Sequence, residues 1–239
     1  MLLLAAPWVS SWVIAPAADP ATVKACAGLC IDEFETLPLP LLPFPGWEQR
    51  ARDTAITQWV ESRQTLLGGS QPHALLVAMR NEAEQGRYFE GIDDGLLGFA
   101  EMGLLPPPPE QPSGWPGEED AGATAPPPPP TDGSALYPYL ANLAVKAGAR
   151  RLGLGKELVM ATERKAAELG YERMYIKVDR QNFDARRVYD RLGYRIVYLQ
   201  PRTDPRKGPP GANLFLRKDA KDGSFVVQAA AGDDEGVGG

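Results

Sequence analysis

The chain has 239 residues, 44% hydrophobic and 23% charged, a balance that excludes a fully disordered polymer and allows a sizeable core in one or two domains, one being favoured. The formal charge of −6 is uneven: residues 140–218 hold 18 Lys+Arg against 8 Asp+Glu, leaving −16 for the rest. The basic part suits a polyanionic ligand and the acidic remainder a cationic substrate, although acids in a proline-rich stretch and in the tail produce much of the contrast. A single histidine, His73, and two cysteines, Cys26 and Cys30, exclude Ser/His/Asp hydrolysis through any other histidine and a Cys/His zinc cluster.

In chain order, the N-terminus MLLLAAPWVSSWVIAPAADP carries no Lys or Arg before Lys24. It therefore lacks both the basic flank of a secretory signal and the Arg-rich pattern of a transit peptide. Pro7 and Pro16 interrupt its apolar stretch, which is too short for a membrane span. A first strand is expected over Trp8–Ala15, and Asp19 is an N-cap for a helix from Pro20 to about Phe34, with proline at the first helical position. Cys26 and Cys30 share a face of that helix but are badly oriented for a disulfide, so a packed, reduced pair and a reducing compartment are expected. After the link LPLPLLPFPG, Trp47–Leu67 has helical spacing and stops at Gly68 and Gly69. His73, behind Pro72 at the entry to an apolar run, reads as a surface or strand-edge residue rather than a catalytic one. Ala74–Met79 and Leu96–Leu105 read as two strands of a hairpin.

Between Pro106 and Pro130 lie 11 of the 24 prolines. The stretch 106–132 cannot hold a packed core and is expected to be a flexible loop between strands. The strand YLANLAV follows, then the turn AGARRLGLG, a helix over Lys156–Leu169 closed by Gly170, and the strand MYIKV at 174–178. This order is a βαβ unit with the glycine turn at a helix N-terminus. A helix capped by Asn182 and ended by Gly193, then strands YRIVYL and NLFLRK, complete the fold. The small and acidic residues beyond about Val227 are expected to be disordered.

The turn Arg150-Arg151-Leu152-Gly153-Leu154-Gly155-Lys156 joins unhindered glycine amides to the free N–H groups and positive end of a helix, a seat for a pyrophosphate. Arg and Lys beside it reinforce the charge. It is no P-loop, because Arg150 stands where that motif needs Gly and Glu157 where it needs Ser/Thr. It is no Rossmann turn either, lacking G-x-G-x-x-G. The plain alternative for these glycines is close packing of helix on strand.

Together, N-L-A-V, R-R-L-G-L-G-K and N-F-D-A-R-R-V-Y-D-R-L-G-Y closely resemble the GCN5-related N-acetyltransferase (GNAT) superfamily, strongly over 138–200 and more loosely over 8–105. The resemblance implies an α/β fold (the α+β GNAT fold): a central mixed, mostly antiparallel twisted sheet flanked by helices. One domain over 8–218 is expected, after an extension 1–7 and before an acidic tail 219–239. It also implies that Arg150, Gly153 and Gly155 sit in the turn that binds the CoA pyrophosphate, with Arg151, Leu152, Leu154 and Lys156 around them. By the same resemblance Leu143, Ala144 and Val145 pair with the pantetheine arm, Asn182, Phe183 and Asp184 flank that arm, and Tyr189 is the general acid. Acetyl-CoA is then the co-substrate and no metal is needed.

The chemistry is coherent. Acetyl transfer needs a neutral amine, an oriented thioester, stabilisation of the developing oxyanion and a proton for the leaving sulfur. A tyrosine with an ordinary pKa near about 10 stays protonated and can supply that proton. Deprotonating a lysine at pH 7 costs about 4.6 kcal/mol and an α-amine only about 1 to 1.4 kcal/mol. Ribosomal-protein N-terminal acetyltransferases, which the region resembles, can carry a Glu where this chain has Lys177, so that base does not carry over. Glu101 in GFAEMG is a candidate base, beside the plain reading of a solvated strand-edge acid.

YLANLAV, the long insertion and Arg-Pro turns near 201–211 resemble plastid acetyltransferases of plants and algae, which act on protein N-termini and lysines. The expected function is acetylation of protein or peptide amines, in a plastid by resemblance and otherwise in the cytoplasm. A GNAT enzyme for a small-molecule amine and a non-catalytic acyl-CoA-binding module are the alternatives. Nucleic-acid binding is disfavoured, because basic residues interleave with acids and no base-stacking motif is present.

Overall fold

Apolar runs punctuated by glycine and proline give, in chain order, β1 (Trp12–Pro16), α1 (Pro20–Phe34), α2 (Trp47–Leu67), β2 (Ala74–Arg80), β3 (Leu96–Leu105), β4 (Tyr137–Val145), α3 (Leu154–Glu168), β5 (Arg173–Asp179), α4 (Phe183–Arg191), β6 (Arg195–Arg202) and β7 (Gly211–Asp219). The computed structural model describes residues 11–17, 19–34, 46–81, 92–108, 135–202, 211–221 and 225. The link over 37–46 (but for Gly46), most of the proline-rich stretch 106–132, the residues before Ser11 and most of the tail lie outside them. The strands form a mixed sheet in the order β1-β2-β3-β4-β5-β7-β6. The β1–β2, β2–β3, β5–β7 and β6–β7 pairs are antiparallel and β4–β5 is parallel, so the expected mixed sheet and its βαβ unit are present.

Local chemistry explains the boundaries. Thr22 N donates to Asp19 Oδ1 at 2.9 Å, the cap that starts α1. Ala185 N donates to Asn182 Oδ1 at 3.1 Å at the start of α4. Helix α3 begins at Leu154, two residues before the expected Lys156, because Gly153 takes φ 89° and leaves the helix path just ahead of it. Strand β1 runs to Pro16, one residue past the expected end, and is described from Trp12.

Contacts divide the chain into two units. In the first, residues 1–103 and 141–162, helices α1 and α2 place Cys26, Ala27, Ile31, Ile56 and Trp59 against Leu75, Val77, Leu96, Phe99 and Ala144. Each large apolar side chain so buried contributes about 1.5–3 kcal/mol. Trp59 meets Phe99 edge-on with ring centres 6.1 Å apart. A Cβ at Gly98 would lie 2.6 Å from Ala144 O, so only glycine lets β3 and β4 approach this closely. Both cysteines are buried and outside any disulfide, as expected. Burial, with Cys30 adding to it, pushes the Cys26 thiol up to about 12, which keeps it unreactive.

The second unit, residues 104–140 and 163–239, contains a buried ion pair. Lys218 Nζ on β7 lies 2.9 and 3.0 Å from the carboxylate oxygens of Glu163 on α3, and both side chains are almost fully buried. Burial raises the Glu163 pKa more than Lys218 lowers it. Tyr139 stacks on Tyr175 at 5.1 Å and donates its hydroxyl to Pro106 O at 2.9 Å.

Candidate active site

In the first unit, β4 gives way to the glycine turn. Lys146 N donates to Leu97 O at 2.9 Å, a short 3-10 turn spans Ala147–Ala149, and Arg151 and Gly153 both take left-handed conformations, φ 63° and 89°. Left-handed residues two positions apart turn successive amides toward one side, as in an anion-binding nest. Helix α3 then starts, with Glu157 N donating to Gly153 O at 3.1 Å. The amides of Leu154, Gly155 and Lys156 precede that bond and have no acceptor inside the helix. Gly153, lacking a side chain, cannot cap them. Leu154 is buried and anchors the turn, whereas Arg151, Leu152 and Lys156 are exposed.

The close-packing alternative for the glycines fails here. A Cβ at Gly153 meets no atom within 4 Å, and one at Gly155 meets only Val145 Cγ2 at 3.9 Å, an ordinary contact. Gly153 is required by its φ, but Gly155 is required by neither conformation nor neighbouring protein. No other described atom lies within 4 Å of that position.

Arg150 behaves differently from the expected charge beside the seat. Its Nε donates to Val145 O at 2.9 Å, and Nη2 pairs with Glu33 at the end of α1. The guanidinium therefore ties the turn to the end of β4 and to α1, and the amides of Leu154, Gly155 and Lys156 are the groups left without an acceptor inside the helix. In β4, Ala144 is buried and Leu143 and Val145 are half-buried. The register of β4 with β5 consists of Tyr139–Tyr175 and Leu140–Ile176.

Glu101 and His73 correct the sequence reading. Strand β3 is interior, between β2 and β4, so Glu101 is no strand-edge acid; its side chain is only 3% exposed. Arg63 Nε and Nη2 donate to its two oxygens at 2.9 and 3.1 Å, and Asn142 Nδ2 donates to Oε2 at 2.6 Å. His73, expected at the surface or at a strand edge, stands just ahead of β2 with its side chain only 6% exposed and Nε2 2.8 Å from Glu101 Oε1. Burial pulls the carboxyl pKa up, but the hydrogen bonds from His73, Arg63 and Asn142 outweigh it and hold Glu101 down at about 2. Arg63, Asn142 and Glu33 carry no local sequence signal. Each reaches a partner through the fold.

In the second unit, Asn182 caps α4, Phe183 is 62% exposed beside it, and Asp184 is exposed in the first turn, where a negative charge suits the helix dipole. Tyr189 is buried and packs against Tyr194 with ring centres 6.1 Å apart. Burial raises its pKa above the ordinary value that the sequence reading assumed, so the phenol holds its proton more firmly. Leu143–Val145 and the turn thus lie together in the first unit, and Asn182–Asp184 and Tyr189 together in the second. Among the described residues, no group of three or more His, Cys, Asp or Glu side chains is placed to hold a metal ion, and no helix is long and apolar enough to cross a membrane.

Known proteins resemble this chain in sequence and fold. The "GCN5-related N-acetyltransferase 6, chloroplastic" of Arabidopsis thaliana is 35% identical over 66 residues, 28% of this chain and 23% of that protein; the match spans under a quarter of that relative's length. The structure of Arabidopsis thaliana NAA60 in complex with acetyl-CoA is 14% identical over 87% of this chain and 98% of that one, with a TM-score of 0.54. A ribosomal-protein-alanine N-acetyltransferase from Brucella melitensis is 17% identical over 87% and 99%, with a TM-score of 0.52. These likenesses share the fold described above. The model of the acetyltransferase (GNAT) family matches residues 47–194, from the start of α2 to the end of the α4 region, and the chain belongs to that family.

Proposed function

We propose that the protein is an acetyl-CoA-dependent protein N-acetyltransferase that modifies N-terminal α-amines and, more slowly, lysine side chains. The observation that carries the acetyl-CoA site is Gly155, a helical glycine that nothing in the protein requires, beside amides without intrahelical acceptors. An anion seated there meets the N–H groups of Leu154, Gly155 and Lys156 and the charges of Arg151 and Lys156. Arg150 and Glu33 hold the turn in shape. Leu143–Val145 offer strand groups to an extended amide-bearing arm, and Asn182, Phe183 and Asp184 flank it.

When bound, acetyl-CoA supplies an activated acetyl thioester. The residues of the chain orient the carbonyl and keep a proton ready. Tyr189, a phenol that is protonated at neutral pH and whose pKa burial raises further, gives its proton to the departing sulfur. The lower cost of a neutral α-amine favours it over lysine by about 3 kcal/mol at pH 7. The protein acceptor in the name of the Brucella relative supports this choice, and the chloroplastic relative supports a plastid location.

Profiling the purified chain with acetyl-CoA against random peptides, N-blocked lysine peptides and a polyamine pool tests the reading. Products on peptide α-amines are expected. Products confined to small amines would replace the protein acceptor with a metabolite, and CoA binding without turnover would replace the enzyme with a binding module.

A further inference from the structure

We propose that His73 and Glu101 form the proton-accepting pair for the acceptor amine, with His73 Nδ1 as the accepting atom and Glu101 as its positioning partner. This rests on the acetyl-transfer reading above and adds the base that the sequence left unassigned. Glu101, held ionised, can only accept hydrogen bonds. The 2.8 Å contact from His73 therefore requires the proton on Nε2. Neutral His73 then carries its lone pair on Nδ1, and that buried atom has no hydrogen-bond partner among the described residues. Leaving such an acceptor unpaired is costly unless a ligand or water meets it. Gly103 stands beside the ring, where a Cβ would make an ordinary contact of 3.6 Å with His73 Cδ2. The carboxylate sets the orientation, the arrangement in which a carboxylate selects the tautomer of a basic imidazole.

The topology puts this pair at the reacting end. With the pyrophosphate at the turn beyond Val145, an arm lying along Val145–Leu143 carries its far end toward Asn142. Asn142 is the residue whose side chain donates to Glu101 at 2.6 Å. The charged groups facing His73 are Glu101 from β3 and, through it, Arg63 from α2. They offset each other while the imidazole is neutral, and the carboxylate lies against the imidazolium once it forms. In the step, the amine nitrogen bonds to the acetyl carbon and the carbon–sulfur bond breaks. The sulfur takes the proton of the general acid, and the proton of the amine passes to Nδ1 directly or across one water. The Nε2 proton stays donated to Glu101, and as product leaves the imidazolium returns its extra proton to solvent and the general acid takes one back.

The test compares the full wild-type chain with His73→Gln and His73→Ala, using acetyl-CoA and a mixture of an alanine-leading peptide, an N-blocked lysine peptide and spermidine. Glutamine keeps a donor for Glu101 but has no basic nitrogen. His73→Gln should bind CoA within about twofold of wild type and lose about 100-fold in kcat, with a larger loss for acceptors of higher pKa. His73→Ala should regain activity when free imidazole is added, a rescue that a structural role does not produce. If wild type acetylates an acceptor and His73→Gln keeps its kcat, or free imidazole fails to rescue folded His73→Ala, the pair is refuted and acetyl transfer stands. A folded wild-type chain that acetylates none of the three sinks the transfer reading itself.

Discussion

Replacing Gly155 by alanine should move stability and ligand binding in opposite directions. The added Cβ meets only Val145 Cγ2, at 3.9 Å, so it fits the protein without displacement. Gly155 is the second residue of α3 and has no positive φ. Alanine there lowers the entropy of the unfolded chain and favours the helix, a gain of about 0.5–1 kcal/mol. For a chain of this size that raises Tm by about 1–4 °C. The same methyl group occupies the space in front of amides that otherwise touch a phosphate. Losing one hydrogen bond to a charged group costs about 1.5–3 kcal/mol, which weakens CoA binding roughly 10- to 100-fold. Thermal unfolding without ligand and calorimetric titration with CoA measure the two effects separately. A lowered Tm would mean that the glycine serves packing after all, and an unchanged CoA affinity would remove the anion seat from this turn.

Further outcomes follow from the two units. Tyr189→Phe should keep CoA affinity within a few fold and lower turnover in steady-state kinetics; full turnover would exclude Tyr189 as the proton donor. Glu101 has its pKa depressed from 4.5 to about 2, so its stabilisation of about 3 kcal/mol is present above the unfolded pKa and lost as pH falls from about 5 toward 2. Glu101→Gln should flatten the fall in denaturant-measured stability across that window; an unchanged slope would show that its partners do not hold the ionised form. Lys218→Met leaves the buried carboxylate of Glu163 without its partner and should cost about 3–5 kcal/mol, whereas Glu163→Leu with Lys218→Met should recover most of it. Equal losses in the single and double variants would contradict that account.

Local signals carried well into the structure. Asp19, Asn182, Gly68 and Gly193 act on backbone groups a few residues away, so the helix ends they mark were readable, and the glycine turn announced its own geometry. The polar interior was not. Arg63 reaches Glu101 from 38 positions away, Asn142 from 41 and His73 from 28. Glu101 looks like any strand acid until β2 and β4 close on either side of it and α2 delivers a guanidinium. Arg150 reads in sequence only as a charge beside the turn, because its partner Glu33 stands 117 positions earlier. The raised pKa of Tyr189 comes from burial, including packing against Tyr194 beyond the end of α4.

The most direct test of the anion seat is calorimetric titration of the folded chain with CoA and, separately, with pantetheine, which lacks the pyrophosphate. One CoA site is expected, with pantetheine binding weaker by a factor of a hundred or more. Equal affinity for the two, or no heat with CoA, would contradict it.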